Sequence, residues 1–122
     1  MKNLPTYPIS VDRELKGYFI MFEVKGNSMD NNSKESLQEG DLLLSRNIKK
    51  EYWKYNLNAN NWKYVIVHKT EGIMIRKIIK HDLEKKIITA HSLNPMFEDI
   101  DISLDEVDQL FHVIQIQRKI KD

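Results

Sequence analysis

The chain contains no cysteine and no long hydrophobic run. The missing cysteine excludes disulfides and thiol catalysis. No apolar stretch approaches the roughly 20 residues that a membrane-spanning helix needs, and no charged-then-apolar leader opens the chain. We therefore expect a soluble, cytoplasmic protein with no membrane partner.

A charge excess of one sign is also missing. Nineteen Lys and Arg residues face eighteen Asp and Glu residues, which leaves a formal net charge of +1. Proteins that hold nucleic acid by its phosphates usually carry a clear basic excess, so we do not expect this chain to grip DNA with its whole surface. The acidic stretch Phe97–Asp108 lacks the glycine of a calcium loop, and zinc-type spacing is missing from the four histidines, His68, His81, His91 and His112. We expect neither a metal nor a cofactor.

Helix signals are scarce, and short apolar runs with two-fold alternation predominate. These runs predict strands over Tyr18–Val24, Asp41–Arg46, Lys63–Lys69, Ile73–Ile79, Lys85–Ser92 and Leu110–Ile120. Helix is limited to one or two short pieces, one after Ser28 and one at Ser103–Val107, where Ser103 and Glu106 have the spacing of a capping box. From 122 residues we expect a single domain, residues 1–122, with a mainly β fold.

The irregular stretch Asn47–Tyr64 carries two tryptophans among lysines and asparagines. Exposed aromatic rings beside cations would suit single-stranded nucleic acid. One or two aromatic rings rarely make a stacking platform, so we expect Trp53 and Trp62 to pack this segment against the sheet.

The segment FEVKGNSMDNN, Phe22–Asn32, places a serine shortly after a glycine at the end of a predicted strand. Gly26 allows a sharp turn that brings Ser28 out of the strand, and Met29 would point inward and fix that turn. Backbone N–H groups after the turn would then face a developing oxyanion. A serine hydroxyl is a poor nucleophile until a base takes its proton, so catalysis requires a base elsewhere. Without one, Ser28 is only the cap of a short helix.

The stretch EVKGNSMDNNSKESLQEGDLLLSR resembles the serine region of the LexA and phage-repressor family of Ser/Lys self-cleaving regulators. The family pattern of Gly-x-Ser-Met, then Gly-Asp and a second strand, falls on Gly26–Met29 and on Gly40 and Asp41. Downstream, YVIVHKTEGIMIRKI resembles the family's hairpin, HSLNPMFEDIDI its Asn-containing loop, and VDQLFHVIQIQRK its closing strand. The resemblance implies a LexA/signal-peptidase-like folded β-sheet domain, the C-terminal part of a helix-turn-helix transcriptional regulator.

The family's base is a buried, neutral lysine on the second strand of the hairpin. The aligned segment here is IRKI, so the resemblance puts Arg76 in the lysine position and Lys77 directly after it. Burial can bring the pKa of a lysine close to neutrality, whereas arginine stays protonated. Successive strand residues point to opposite faces, so Lys77 should project away from Ser28 unless a β-bulge re-aims it.

The family's cleavage site has no counterpart in this sequence. Members cut themselves at an Ala-Gly or Cys-Gly bond upstream of the serine, but neither Ala59 nor Ala90 precedes a glycine. Pro5 and Pro8 forbid a helix at the start of the chain. We therefore expect the cleavage loop and a DNA-binding domain to lie upstream of this chain, with DNA bound only through that domain.

Three functions follow from these residues, and we favour a regulatory and dimerisation domain of a repressor with a degenerate Ser/Lys site. An activating protein is a candidate further partner. The second function is an active self-cleaving peptidase that uses Lys77, or less plausibly Lys69 or Lys80, as the base. The third is an unrelated β-rich binding module whose match to the family is chance.

The closing strand is the predicted dimer surface, because an apolar edge strand needs covering. Strict alternation would place Phe111 and Val113 on one side of this strand. Ile114 and Ile116 would then lie together on the other side. By resemblance, we expect these four residues to form the interface.

Overall fold

The computed structural model describes residues 18–59 and 61–118. The two prolines near the start of the chain and the end of the predicted strand Leu110–Ile120 lie outside these ranges. Helical structure in the described residues is limited to two 3-10 helices, Lys50–Tyr52 and Leu104–Glu106. The prediction of a mainly β fold is confirmed.

The described strands form a single antiparallel sheet. They are β1 (Phe19–Glu23), β2 (Leu42–Asn47), β3 (Lys63–His68), β4 (Gly72–Asp82), β5 (Ile87–His91), β6 (Ile100–Ser103) and β7 (Val107–Gln117). Their order in the sheet is β1-β2-β7-β3-β4-β5-β6. The six predicted strands all appear, and β6 was not predicted because it lies in the acidic stretch. One of its acidic side chains, Asp101, accepts a hydrogen bond of 2.7 Å from Thr89 on β5.

The short helix predicted after Ser28 is wrong, because residues 28–37 form turns and bends. Polar side chains satisfy the backbone there. The Asn31 side chain accepts from the N–H of Ser33 at 3.1 Å, and the Ser36 hydroxyl accepts from the N–H of Asn31 at 2.9 Å. Such local bonds compete with the hydrogen bonds of a helix.

The helix predicted at Ser103–Val107 is present as a single 3-10 turn. The Ser103 hydroxyl accepts from the N–H of Asp105 at 3.3 Å, which is an N-cap bond to the second helical residue. The bond to the N–H of Glu106 that a capping box requires is not among the described hydrogen bonds. The Glu106 carboxylate instead lies 3.1 Å from Nε2 of His68.

β3 is buried on both faces, and its alternate residues belong to two apolar clusters. Tyr64 and Ile66 lie in one cluster, while Val65 and Val67 lie in the other. The second cluster also contains Phe22, Val24, Met29, Leu37, Leu43, Ile75, Leu93 and Phe111. This cluster therefore joins the serine segment to the middle of the sheet.

The two tryptophans have different environments. Trp53 is buried and donates its indole N–H to the carbonyl of Ile48 at 2.8 Å, as the packing prediction requires. Trp62 packs on the sheet as well, because its indole stacks on the imidazole of His112 on β7 with ring centroids 4.3 Å apart, and its ring centroid lies 6.1 Å from that of Tyr64 on β3. It is still 41% exposed, so this packing covers only part of the indole.

β7 is not an edge strand over its whole length, which corrects one premise of the dimer prediction. Its first part pairs with β3, and that pairing ends at His112. The stretch Val113–Gln117 pairs only with β2 among the described strands. Only this second half presents an open edge.

A register shift also corrects the predicted alternation of β7. Ser45 pairs with Val113 and Leu44 with Gln115, so Ile114 is an extra residue without a directly opposed partner. Directly opposed residues share a face of a sheet, and Leu43 pairs with Ile116. Leu43 and Ser45 are two residues apart and share a face, so Val113 and Ile116 share that face as well, contrary to the predicted alternation.

Candidate active site

The serine turn begins where β1 leaves the sheet. The N–H of Val24 donates to the carbonyl of Asp41, and the N–H of Gly40 donates to the carbonyl of Val24, both at 2.9 Å. Gly26 then adopts a φ of +73°, which a glycine reaches without strain, and its N–H donates to the Glu39 carboxylate at 2.7 Å. The glycine turn anticipated from the sequence is present.

Two residues hold the turn from inside the molecule. Met29 is 1% exposed and belongs to the second apolar cluster, and its carbonyl accepts from the N–H of Leu37 at 2.9 Å. Asn94 donates its backbone N–H to the carbonyl of Ser28 and its side-chain amide to the carbonyl of Asn27, each at 3.0 Å. The loop around Asn94 resembles the family's Asn-containing loop, but the sequence predicts no role for Asn94. No local pattern connects this residue to a turn 66 positions earlier in the chain.

The structure brings Ser28 and Arg76 together. Nη1 of Arg76 donates to the Ser28 hydroxyl oxygen at 2.9 Å and to the carbonyl of Ile75 at 2.7 Å. Arg76 is half-buried on β4, and this burial lowers the pKa of its guanidinium from the ordinary value. No carboxylate in residues 18–59 and 61–118 forms an ion pair with it.

Lys77 is engaged elsewhere. Its ammonium lies 2.8 Å from the carboxylate of Glu35, and its side chain is only 14% exposed. Lys69 lines a separate cavity with Leu104 and Val107, and Lys80 is exposed where β4 pairs with β5. Of the cationic residues considered for this site, Arg76 alone is hydrogen-bonded to Ser28 within the described residues, and none of the three lysines proposed as the base is.

A cleft of about 530 Å³ opens beside the serine turn. Its charged lining residues are Glu23, Lys25 and Arg76, and the Lys25 ammonium lies 2.9 Å from the Glu23 carboxylate. The remaining lining residues are Phe22, Val24, Gly26, Asn27, Ser28, Met29, Ile73, Ile75 and Phe97. The cleft therefore has mainly apolar walls. The hydroxyl of Ser28 and the guanidinium of Arg76 lie next to each other in its lining.

Part of β4 faces this cleft without a second strand partner. Gly72–Lys77 pairs with β3 on one side, and the pairing of β4 with β5 begins only at Lys77. The lining residues Ile73, Ile75 and Arg76 belong to this stretch. Among the described residues, the side of Gly72–Arg76 that points away from β3 is an open strand edge.

The chemistry of the site follows from the donors and acceptors present. A guanidinium carries five N–H donors and no acceptor. The side-chain hydrogen bond at the Ser28 hydroxyl comes from such a donor, and no described acceptor or base takes its proton. The Arg76 guanidinium therefore holds the Ser28 hydroxyl oxygen and places a positive charge beside it.

The histidines do not come together. His68 accepts at Nδ1 from the backbone N–H groups of Thr70 and Glu71, both at 3.1 Å, and thereby shapes the β3–β4 turn. His91 lies 2.6 Å from the Asp99 carboxylate, and burial lowers the pKa values of His81 and His112. No group of three or more His, Asp or Glu side chains in the described ranges could hold a metal ion.

The site combines a serine on a glycine turn with a cationic residue of β4, and the two are hydrogen-bonded to each other beside a mainly apolar cleft. The chain belongs to the Peptidase S24-like family, whose model matches residues 5–114. The family match overturns the alternative of an unrelated β-rich module. No curated protein matches the chain. None of the helices in the described residues has the length and apolar character needed to cross a membrane.

Proposed function

We propose that this chain is the LexA-like C-terminal regulatory and dimerisation domain of a cytoplasmic transcriptional repressor, with an impaired Ser/Lys site. Ser28 stands where a nucleophile would be required. The observation that carries the proposal is the 2.9 Å hydrogen bond from Nη1 of Arg76 to the Ser28 hydroxyl. DNA would be bound by an upstream domain, and an activating protein remains a candidate partner.

The impairment rests on the difference between two cations. Burial can lower the pKa of a lysine by up to several units, which makes a neutral amine available near pH 7. Arginine starts above about 12, so the moderate burial of Arg76 leaves it protonated. Lys77 does not replace it, because its ammonium is paired with Glu35.

The reactivity of Ser28 tests this part of the proposal without requiring a cleavage site in the chain. The protein is incubated with a fluorophosphonate probe between pH 7 and 10, and the Ser28 peptide is examined by mass spectrometry. We expect no Ser28 adduct in the wild-type chain and an adduct in Arg76→Lys. Ser28→Ala is the control for labelling at other hydroxyls. A wild-type adduct that disappears in Lys77→Gln would establish the active peptidase instead.

The proposed dimer surface is the open edge of β7. The stretch Val113–Gln117 has an unpaired side, and Ile114 and Ile116 are 44% and 42% exposed. An antiparallel copy of the same stretch would pair this edge and cover both isoleucines. Phe111 is fully buried inside one subunit, so its expected role is to support the strand from within.

Sedimentation tests the dimer surface. The double variant Ile114→Lys, Ile116→Lys should be monomeric at concentrations where the wild-type chain is dimeric. Leu83→Lys is a matched control, because Leu83 is similarly exposed, at 49%, in the turn between β4 and β5. A double variant that remains dimeric would discard this surface.

A further inference from the structure

We propose that the cleft beside Ser28 binds the C-terminal end of an extended peptide, with the free carboxylate received by the guanidinium of Arg76. This inference rests on the proposed function in one respect only, namely that Arg76 is a permanent cation and not a base. It assigns the site a ligand class that suits a cleft in which bond cleavage has been lost.

Arg76 is a half-buried cation. A half-buried guanidinium loses hydration, and an anion that pairs with it recovers part of the cost. Arg118 shows the satisfied case, since its guanidinium binds the Asp41 carboxylate through Nε and Nη2. Arg76 has no carboxylate partner in the described part of the chain, and burial alone accounts for the lowering of its pKa.

The guanidinium of Arg76 also has N–H donors that its described hydrogen bonds do not use. Both described hydrogen bonds of Arg76 come from Nη1, so Nε and Nη2 are not engaged in any described hydrogen bond. These two nitrogens form the side of a guanidinium that binds a carboxylate in bidentate fashion. The Ser28 oxygen accepts from Nη1, away from the Nε–Nη2 side, so it holds the guanidinium in place and leaves that side to a ligand.

The residues that line the cleft carry a net positive formal charge. Glu23 also lines the cleft, and its carboxylate accepts from Lys25 at 2.9 Å. With Lys25 and Arg76 positive and Glu23 negative, the formal charge of the lining is +2 − 1 = +1. The balance favours an anionic ligand at Arg76, and the Glu23–Lys25 pair does not neutralise it.

The strand edge and the apolar walls of the cleft favour a peptide over a small carboxylic acid as the ligand. The open edge of Gly72–Arg76 offers backbone hydrogen-bond groups that an extended chain can pair with, as strand addition does. Ile73, Ile75 and Phe97 line the same cleft and would contact apolar side chains. A peptide that ends in apolar residues satisfies the edge, the walls and Arg76 together, whereas a small carboxylic acid satisfies Arg76 alone.

The test measures binding by the 122-residue chain in isothermal titration calorimetry. The probes are N-acetylated hexapeptides of alternating Thr and Val that end in Val, Leu or Phe, each made with a free C-terminal carboxylate and as the C-terminal amide. We expect at least one free acid to bind and its amide to bind about 10-fold more weakly or worse, since a charge-assisted hydrogen bond is lost. Butyrate is expected to bind far more weakly than the peptide acid.

Variants separate Arg76 from its neighbour. Arg76→Gln should reduce the affinity for the peptide acid about 10-fold and leave the affinity for the amide unchanged, whereas Lys77→Gln should preserve the preference for the acid. Arg76→Lys, which keeps the charge, should retain part of that preference. Thermal unfolding of each variant shows whether the fold is intact. If Arg76→Gln does not fold, the preference for the acid in the wild-type chain and in Ser28→Ala decides the matter.

Three results would overturn the inference: no binding of any peptide acid, equal binding of acid and amide, or butyrate binding as tightly as the peptide acid. None of these results bears on the reactivity of Ser28. A reactive Ser28 would remove the proposed impairment, whereas absent peptide binding with an unreactive Ser28 would remove only the peptide site.

Discussion

Arg76 and Arg118 bind opposite ends of the loop between β1 and β2, and they differ in the groups that they bind. At the end of the loop, Arg118 binds Asp41, whose side chain is 3% exposed, at distances of 3.0 to 3.2 Å. At its beginning, the hydrogen bonds of Arg76 to described residues go to a hydroxyl and a carbonyl, beside an open cleft. The first arrangement is typical of a structural ion pair that orders a loop. The second leaves a cation unpaired where a ligand can enter.

The same contrast appears between neighbours on β4. Lys77 has a carboxylate partner in Glu35, while Arg76, one residue earlier, has none among the described residues. A cationic residue that is needed only for stability gains from such a partner. The unpaired one is therefore the better candidate for function, and the predictions below test whether stability and function separate in this way.

The largest effect is expected from Asp41→Asn. Asp41 is buried and also accepts from the N–H of Gln38 at 2.8 Å, so loss of its charge weakens both this bond and the pairing with Arg118. We expect a loss of about 2 kcal/mol in the free energy of unfolding. Urea denaturation measures it, with the exposed Glu84→Gln as control. A loss no greater than the control's would mean that the ion pair does not hold the loop.

Asn94→Ala should have the next largest effect. It removes the amide that donates to the carbonyl of Asn27 and the oxygen that accepts from the N–H of Met96. Each such bond contributes about 1 kcal/mol, so we expect a loss of about 1 to 2 kcal/mol in the same assay. Because the serine turn loses a support, peptide affinity should fall as well. Unchanged stability would contradict the role assigned to Asn94.

Lys77→Gln is expected to cost about 0.5 kcal/mol at pH 7, because Glu35 is 45% exposed and solvent screens the pair. The hydrogen bond and charge of Lys77 lower the pKa of Glu35 below its ordinary value of 4.5. The pair therefore stabilises the fold above about pH 4.5 and loses this contribution as the pH falls through the lowered pKa. The urea midpoints of wild type and Lys77→Gln should converge as the pH falls below 4.5, and a constant difference would contradict the pairing.

The smallest effect on stability is expected from Arg76→Gln. The two described hydrogen bonds of Arg76, to the Ser28 hydroxyl and the Ile75 carbonyl, are offset by the hydration that the half-buried guanidinium loses, so its removal should change the free energy of unfolding by less than about 0.5 kcal/mol. Peptide binding should change far more. A large loss of stability would place Arg76 with Arg118 as a structural residue.

The sequence anticipated most of the fold and the central pair of the site. Alternating apolar residues indicated β1 to β5 and β7, and the resemblance put Arg76 where the structure joins it to Ser28. β6 was not anticipated because it is a strand of four residues inside an acidic stretch, where its one acidic residue, Asp101, accepts a hydrogen bond from Thr89 on β5. The bulge at Ile114 depends on register with β2, and this long-range pairing leaves no local pattern.

The pH dependence of Ser28 phosphonylation by the fluorophosphonate probe is the most direct test of whether a guanidinium has replaced the proton acceptor. The rate of adduct formation is measured from pH 6 to 10 in the wild-type chain, Arg76→Lys and Lys77→Gln. We predict no Ser28 rate above that of an exposed serine for wild type and Lys77→Gln, and a rate that rises with lysine deprotonation in Arg76→Lys. A wild-type rate that rises with pH and is abolished by Lys77→Gln would contradict the proposal.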